Sequence, residues 1–359
     1  MKKSLIALAV AGVVSAPAFA ATGNVDVYGA VRMSVDMNSD DRADRDNTTI
    51  TDRASRFGLK GSEDLGGGLK AIWQIEQGLN ATNGPLDNTV NVANIRTAGG
   101  STLTQNDGAF GHAGLRNTFV GLSGGFGTVI IGRHDTPYKL AGSADLFGDT
   151  AADAQGNFGN NVIGRNGFDK RISGTIAYVS PDFSGFSFAA AIVPGEQTGV
   201  NAADGISDAY SLMGAYKNGP MALTVAYEQH EGTMTGSTRD LDAWKINGSY
   251  TMGDLKFGAT YEKSDDVLND SGAVGEEADV AWLVSAAYTM GPMTFKAQYG
   301  DYNQKETVVI GTGDMDVWTV GLDYNLSKRT NAYVLFTDRD NQAVNRDTSV
   351  FSIGMNHSF

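Results

Sequence analysis

Apolar and polar residues alternate along most of the chain. Between Val25 and Asp36, one face carries valine, glycine and methionine, whereas the other face carries Asp26, Tyr28 and Arg32. This two-residue period predicts β-strands with one side against an apolar medium and the other side against water. A soluble β-sandwich produces the same alternation, so a single strand does not distinguish the two architectures.

Short turns rich in Gly, Pro, Asn and Asp alternate with longer polar segments between the strands. The short turns lie at 63–68, 124–127, 180–185, 218–220, 252–254, 290–292 and 325–329. Related phrases that begin at Ala215, Ser249 and Ala287 each place a tyrosine just before such a turn, and Tyr178 and Tyr324 hold the same place elsewhere. Short turns at one end, long loops at the other and a ring of interfacial aromatics are typical of outer-membrane barrels.

The pattern predicts an all-β fold, an antiparallel transmembrane barrel of about 16 strands. The predicted strands are 25–36, 53–63, 68–78, 115–123, 128–136, 170–179, 186–193, 208–217, 221–230, 242–251, 255–264, 279–289, 293–302, 315–324, 330–338 and 349–359. Closure removes the exposed edges that an open sheet of this size would present. A barrel of this size encloses a water-filled lumen, which predicts a passage for solutes.

The first twenty residues predict a cleaved secretory signal peptide. Lys2 and Lys3 precede an apolar run from Leu5 to Val14, and residues 18–20 read Ala-Phe-Ala, which fits a signal-peptidase site. The apolar run is too short to cross a membrane as a helix. We therefore expect a signal peptide at 1–20, a barrel domain at 21–359 and export to the bacterial envelope.

The composition excludes several classes of function. The chain has no Cys, so it holds neither a disulfide nor a thiolate metal site, and its net charge of −14 argues against a nucleic-acid partner. Its four His are scattered without metal-binding spacing. Ser123 lies in a G-x-S-x-G sequence, but the sequence predicts a turn between strands there rather than a nucleophile elbow. We expect no cofactor, no metal and no enzymatic activity.

Several segments resemble Gram-negative general diffusion porins, particularly the β-proteobacterial type. The most specific is 55–76, and 116–122, 125–133 and 176–181 resemble later strands of that family, as Phe359 resembles its C-terminal aromatic residue. The resemblance implies a homotrimer in the outer membrane, in contact with lipid and lipopolysaccharide, that conducts ions and small hydrophilic solutes. It also implies that the barrel-assembly machinery reads Phe359 and that subunit contact involves the first five strands and the loop 79–114.

The predicted pore constriction has a basic wall and an acidic loop. Alternation directs a set of basic side chains into the lumen. The family pattern adds Arg133, which strict alternation would direct outward. The predicted basic wall consists of Arg32, Arg56, Lys60, Lys70, Arg116, Arg133 and Arg171. The resemblance implies that the third loop, 137–169, folds into the barrel with Asp145, Asp149 and Asp153 facing this wall. The alternatives are lumen arginines without a special role and an ordinary acidic surface loop.

The sequence leaves the type of channel open. A general diffusion channel, a substrate-selective channel for oligosaccharides or a specific ion, and an outer-membrane enzyme or adhesin remain alternatives. The acidic net charge favours a weak preference for cations, whereas the basic wall opposes it. Net charge far from the constriction is screened within about 8 Å at physiological salt, so the sign of the selectivity also stays open.

Overall fold

A computed structural model describes residues 24–41, 46–80, 82, 114–155, 162–164, 167–194, 208–231, 240–265, 278–304, 314–342 and 346–359. The predicted signal peptide and most of the predicted subunit-contact loop 79–114 lie outside these residues, so both stay predictions. Within the described ranges, no helix is long and apolar enough to cross a membrane.

The described chain forms one closed antiparallel β-sheet. Its strand segments are β1 (Asn24–Asp40), β2 (Asn47–Asp52), β3 (Arg56–Gly66), β4 (Leu69–Gly78), β5 (Thr118–Gly124), β6 (Gly127–Asp135), β7 (Arg171–Val179), β8 (Phe186–Val193), β9 (Ala209–Asn218), β10 (Met221–His230), β11 (Leu241–Met252), β12 (Leu255–Ser264), β13 (Asp279–Met290), β14 (Met293–Asn303), β15 (Met315–Asn325), β16 (Thr330–Asn341) and β17 (Arg346–Ser358). Consecutive strands pair, and β17 pairs with β1 to close the ring. Both β2 and β3 pair with β1, so they are one interrupted strand of a 16-stranded barrel, as predicted.

The interruption between β2 and β3 falls where the sequence predicts the start of an unbroken strand at 53–63. Ala54 has a φ of 59°, which a regular strand does not allow. The neighbouring Arg53 is buried, with its Nη2 atom 2.5 Å from Asp36 Oδ2 and its Nε atom donating to Ser34 at 3.0 Å. The strand breaks here as the arginine turns toward a carboxylate on β1.

Two rings of aromatic side chains encircle much of the outer wall. Tyr250, Tyr288 and Tyr324 are between 43% and 50% exposed at the short-turn end, where the sequence places them. A second ring, the loop-side aromatic belt, was missed by the sequence analysis; it consists of the ring pairs Tyr210–Tyr227, Trp244–Tyr261, Trp282–Tyr299 and Trp318–Phe336 on β9 to β16. Together the rings bound the apolar band that the membrane covers.

The described parts of the third loop, 137–155, 162–164 and 167–169, lie inside the barrel, as expected. It begins with the short helix α1 (Pro137–Leu140), whose N-cap Thr136 accepts a hydrogen bond from the Lys139 amide. Apolar residues of the loop pack against inward-facing apolar residues of the opposite wall, among them Leu283, Val317 and Leu335. These inward positions are apolar because the loop, rather than water, covers them.

Candidate constriction site

Close packing holds the third loop against the far wall of the barrel. Val162 and Ile163 of the loop are fully buried in a cluster with Leu283 and Met315. On β15, Gly321 leaves the space for a phenyl ring, since a Cβ atom there would lie 2.6 Å from Phe147. The loop can approach the backbone this closely only beside a glycine.

Buried polar contacts also fasten the loop. The Lys245 Nζ atom on β11 lies 2.7 Å from an oxygen of Asp169, and both side chains are almost completely buried. The Tyr138 hydroxyl donates to Glu262 on β12 at 2.8 Å. Sequence analysis missed this anchor. Strand alternation points Lys245 and Glu262 inward, but it could not pair them with a loop more than 70 residues away.

The inner edge of the loop brings an acid to the basic wall. Asp149 has a φ of 57°, and its carboxylate contacts the Arg32 guanidinium and lies 3.6 Å from Arg56 Nη1. The Asp149 side chain is 34% exposed and those of Arg32 and Arg56 are 19% and 23% exposed, so all three groups are partly open to the lumen. The structure therefore brings these three predicted residues together.

Further arginines extend the wall beside this contact. Arg116 Nε lies 2.5 Å from Glu76, whose other oxygen accepts a hydrogen bond from Tyr28 at 3.0 Å. Arg171 is 3.0 Å from Asp135. The charges of Arg32, Arg56 and Arg116 influence one another, as do those of Arg116 and Arg171, so these four side chains form one row of guanidinium groups, which we call the arginine row.

Arg116 reaches the lumen for a reason other than the predicted one. The prediction directed Phe119 outward, but Val120 is the outward residue, with 60% exposure, and Phe119 packs with the buried Ile130. The pairing shifts by one residue between Gln74–Phe119 and Gln77–Leu115. This irregularity reverses the alternation and places Arg116 beside the buried Glu76.

Lys60 and Lys70 lie on the inner face, as predicted, but outside the contact with Asp149. Lys60 is on the inner face with its Nζ atom 5.3 Å from the centre of the Tyr28 ring. Lys70 on β4 pairs with Asp64 on β3, and Asp64 lies eight residues beyond Arg56 on that strand. Lys70 and Arg56 are therefore separated by about 27 Å along the strand, and Lys70 lies at the short-turn end.

Arg133 corrects the prediction taken from the family pattern. It pairs with Thr118, two positions from the outward pair Val120–Ile131, and donates to the Leu115 carbonyl and the Ser173 hydroxyl. Strict alternation therefore holds here, and Arg133 lies on the outer face rather than in the wall.

Asp145 and Asp153 shape the loop instead of facing the arginines, contrary to expectation. Asp145 accepts hydrogen bonds from the Phe147 and Ala154 amides, and Asp153 accepts them from the Asp149 and Gln155 amides. Burial, and after it the charge of Asp145, raises the pKa of Asp153 to about 8. Burial also raises the pKa of Asp145, whose carboxyl group lies beside that of Asp153. Burial of this pair of carboxyl groups therefore disfavours the state in which both are ionised.

Arg32 and Arg56 share the partly exposed Asp149 carboxylate, whereas Arg116 and Arg171 are paired with Glu76 and Asp135. The described residues contain no group of three or more His, Asp or Glu arranged to hold a metal ion.

Comparison with known proteins agrees with this architecture. The sequence profile of Gram-negative porins matches residues 7–344. The chain is 31% identical over 347 residues to outer membrane porin protein 32 of Delftia acidovorans, covering 93% of this chain and 88% of that protein. It is 29% identical over 345 residues to major outer membrane protein P.IB of Neisseria meningitidis, covering 93% and 92%.

Solved structures share the fold at lower identity. An anion-selective porin from Comamonas acidovorans superposes with a TM-score of 0.72 at 23% identity, covering 94% of this chain and all of that one. OmpT of Vibrio cholerae gives a TM-score of 0.65 at 18% identity, covering 94% and 98%. With its closed barrel, inserted third loop and family match, the chain belongs to the Gram-negative porins and is a channel protein of the bacterial outer membrane.

Proposed function

We propose that the protein is a general diffusion channel whose constriction lies between the arginine row and Asp149, and that it prefers small anions. The observation that carries this proposal is the shared carboxylate: Arg32 and Arg56 both approach Asp149, so two positive charges meet one negative charge at the inner edge of the loop. An anion passing this point gains attraction, whereas a cation is repelled.

The neighbouring charges do not reverse this balance. Glu76 and Asp135 are each matched by an arginine, and burial beside Asp145 raises the pKa of Asp153 and so disfavours its negative charge. Lys60 adds a further positive charge on the same face. The net charge of the whole chain is negative, but distant charges are screened over about 8 Å at physiological salt. The local charges therefore favour anions, against the weak cation preference that composition alone suggested.

Planar-bilayer recordings of the purified full-length protein test this proposal. In a KCl gradient we expect a reversal potential of the sign given by chloride permeation. A reversal potential that reports potassium preference would refute the proposed role of the arginine row. The structurally similar porin from Comamonas acidovorans is anion-selective, which supports the proposal by analogy.

The same recordings separate a general channel from a substrate-selective one. A general channel passes current in proportion to voltage, and small sugars leave the current unchanged. Block by micromolar oligosaccharide would instead support the substrate-selective alternative. We expect no catalytic role for the arginine row, because its groups are arranged as a line of charge along a passage.

We also propose that three copies assemble through the face formed by β1 to β5. The loop-side aromatic belt is confined to β9 to β16, whereas β1 to β6 expose aliphatic residues such as Val31, Val120 and Ile131. An outer face whose described residues are mainly aliphatic suits contact with another subunit better than contact with lipid headgroups. Native mass spectrometry should give a trimer, and Val120→Arg should convert it to monomers while the barrel stays folded.

Phe359 is the proposed assembly signal. Its backbone exchanges hydrogen bonds with Gly29 at 3.1 and 3.2 Å, which completes the seam between the last and first strands. Its ring lies over Gly29, where a Cβ atom would be 2.5 Å from the ring. Contact with the assembly machinery and with lipopolysaccharide also stays a proposal. Deleting Phe359 should lower the amount of folded protein in the outer membrane, while refolding of the purified chain in detergent is affected less.

A further inference from the structure

A partly exposed aromatic ring faces the lumen on the short-turn side of the arginine row. Phe119 on β5 points inward, opposite to its outward neighbour Val120, and packs with the inward Ile130. Its cross-strand partner Gln74 lies two positions from Glu76, the partner of Arg116. The inner wall of a water-filled barrel is ordinarily polar, so an open phenyl ring is unusual there.

The third loop leaves this ring uncovered. Three inward apolar clusters each include residues of the loop, such as Val162, Phe168 and Phe147. A fourth cluster includes none of the described loop residues and consists of Ile72, Phe119, Ile130, Ala177 and Ala191. Its members Ile72 and Phe119 are partly exposed. Within the described part of the chain, they form an apolar surface that is open to the lumen.

Neighbouring residues hold the Phe119 ring in one position. Gly132 pairs with Phe119, and a Cβ atom at Gly132 would lie 3.0 Å from the Phe119 Cβ atom. The His134 ring contacts the Phe119 ring edge-on, with 5.2 Å between the ring centroids and 67° between the ring planes. A ring fixed in this way loses little conformational freedom when a ligand binds to it.

An exposed cation lies two strands away from the ring. Lys60 pairs with Gln74, and Gln74 pairs with Phe119, so the three side chains form a row across the inner wall. Two strand spacings place the backbones of Lys60 and Phe119 about 10 Å apart. The Lys60 side chain is exposed, and its Nζ atom lies 5.3 Å from the centre of the Tyr28 ring. We name the surface formed by Ile72, Phe119, Gln74 and Lys60 the Phe119 ledge.

The charges around the Phe119 ledge indicate an anionic occupant. Among the described residues, Lys60 forms no ion pair, not even with Asp26, its cross-strand neighbour on β1. Its positive charge is therefore available to a solute in the lumen. The arginine row adds positive charge on the loop side. A cation beside an apolar surface is complementary to a small molecule with an apolar body and a single negative charge.

We propose that the Phe119 ledge binds aromatic carboxylates as they pass through the pore. The ring of the solute lies on Phe119 and Ile72, and its carboxylate accepts a hydrogen bond from the Lys60 ammonium group. The flexible lysine side chain spans the distance that remains between the backbone of β3 and the bound solute. The proposal rests on the proposed function as an anion-conducting channel and names a class of anion that this channel passes.

Planar-bilayer recordings of the purified full-length protein in KCl at neutral pH measure this binding. Benzoate, cyclohexanecarboxylate and acetate are added in turn, and each is characterised by the concentration at which the reduction of the current is half-maximal. We expect benzoate to act at an about tenfold lower concentration than acetate, which shares only its charge. Cyclohexanecarboxylate should lie between them, because it has the apolar body without the aromatic ring.

Single substitutions separate the ring from the charge. Phe119→Gln should raise the half-maximal concentration of benzoate about fivefold and leave that of acetate unchanged, whereas Phe119→Tyr should behave as the unmodified chain does. Lys60→Gln should raise the concentration for both anions about two- to fivefold. Val179→Thr is the matched control, since Val179 is an inward, partly exposed apolar residue whose partner Thr128 lies about 13 Å along β6 from Gly132. It should change neither value.

Several outcomes would overturn the proposal. Equal half-maximal concentrations of benzoate and acetate would mean that the ring is covered by another part of the chain or binds no solute. A benzoate effect that survives Phe119→Gln would place the binding elsewhere in the lumen. Cyclohexanecarboxylate as effective as benzoate would replace aromatic carboxylates by apolar anions in general. A shift in gel mobility on heating confirms that each variant is folded, and Phe119→Leu removes the ring with less disturbance of Ile130 should Phe119→Gln fail to fold.

The reversal potential of the same channels in a KCl gradient tests the proposed function separately. Chloride preference together with equal effects of benzoate and acetate would refute the Phe119 ledge alone. Potassium preference together with a benzoate effect that Phe119→Gln abolishes would refute the anion preference of the pore and leave the ledge in place.

Discussion

Removing one charge from the arginine row gives a quantitative test of the proposed constriction. Arg56→Gln takes away a guanidinium 3.6 Å from Asp149 while keeping a polar side chain of similar length. A unit charge about 6 Å from a passing ion contributes about 0.7 kcal/mol in water. Screening over about 8 Å at physiological salt reduces this to about 0.3 kcal/mol.

The loss acts in opposite directions on the two ions of a salt. It raises the free energy of the anion and lowers that of the cation by the same amount, so the ratio of anion to cation permeability should fall about threefold. Asp149→Asn removes the opposite charge and should raise the ratio by a similar factor. The measurement is the reversal potential of reconstituted channels in a KCl gradient near physiological ionic strength.

Lys70→Gln is the matched control. It also removes one inward positive charge, but about 27 Å of strand separates its position from that of Arg56. Over that distance screening leaves almost none of the interaction, so the permeability ratio should stay unchanged. Equal effects of Arg56→Gln and Lys70→Gln, or a shift toward anions in Arg56→Gln, would refute the argument that the constriction lies at the arginine row.

Three further predictions concern the third loop. The pKa of Asp153 is raised to about 8 in the native state, whereas an aspartate in the unfolded chain titrates near about pH 4. Between these two pH values the native state binds a proton that the unfolded chain has released. The contribution of Asp153 to the free energy of unfolding therefore falls as the pH rises from about 4 to about 8, and it is constant above about pH 8. Asp153→Asn should flatten that slope, as urea unfolding at pH 5 and pH 8 would report; an unchanged slope would contradict the assignment. Lys245→Met leaves the carboxylate of Asp169 buried without its closest cation and should cost about 3 kcal/mol in urea unfolding, which the added substitution Asp169→Asn should largely restore. Gly321→Val collides with Phe147, displaces the loop and should change the single-channel conductance, whereas an unaltered conductance would mean that the loop does not set it.

Local patterns determined most of the fold. The period of two in segments such as Val25 to Asp36 reports which side of a strand meets lipid, and short turns fix the register of each hairpin. The strand count and the tyrosine ring at the short-turn end followed from these signals alone. The belt at the loop side was harder to read, because Trp244, Trp282 and Trp318 lie inside strands with no turn to mark their height.

Alternation also limited the site prediction. It placed Arg32 and Arg56 inward correctly, since their strands are regular there. For Arg116 the predicted direction was right but the reason was wrong, because a one-residue shift in pairing reverses the two faces of the strand there. Arg133 was misplaced, because the family pattern was preferred to alternation. A register shift of this kind leaves no mark in the composition of a single strand.

The path of the third loop was decided by tertiary structure. The sequence carries three aspartates in this loop, and nothing in their spacing shows that Asp149 meets the arginines while Asp145 and Asp153 bind backbone amides. That division depends on buried contacts such as Lys245–Asp169, formed between segments distant in the chain. The sequence by itself determined the barrel, because strand faces are set by neighbouring residues and their solvent. Only the tertiary structure decided the proposed constriction, because that site is a contact across the lumen between a loop and a wall.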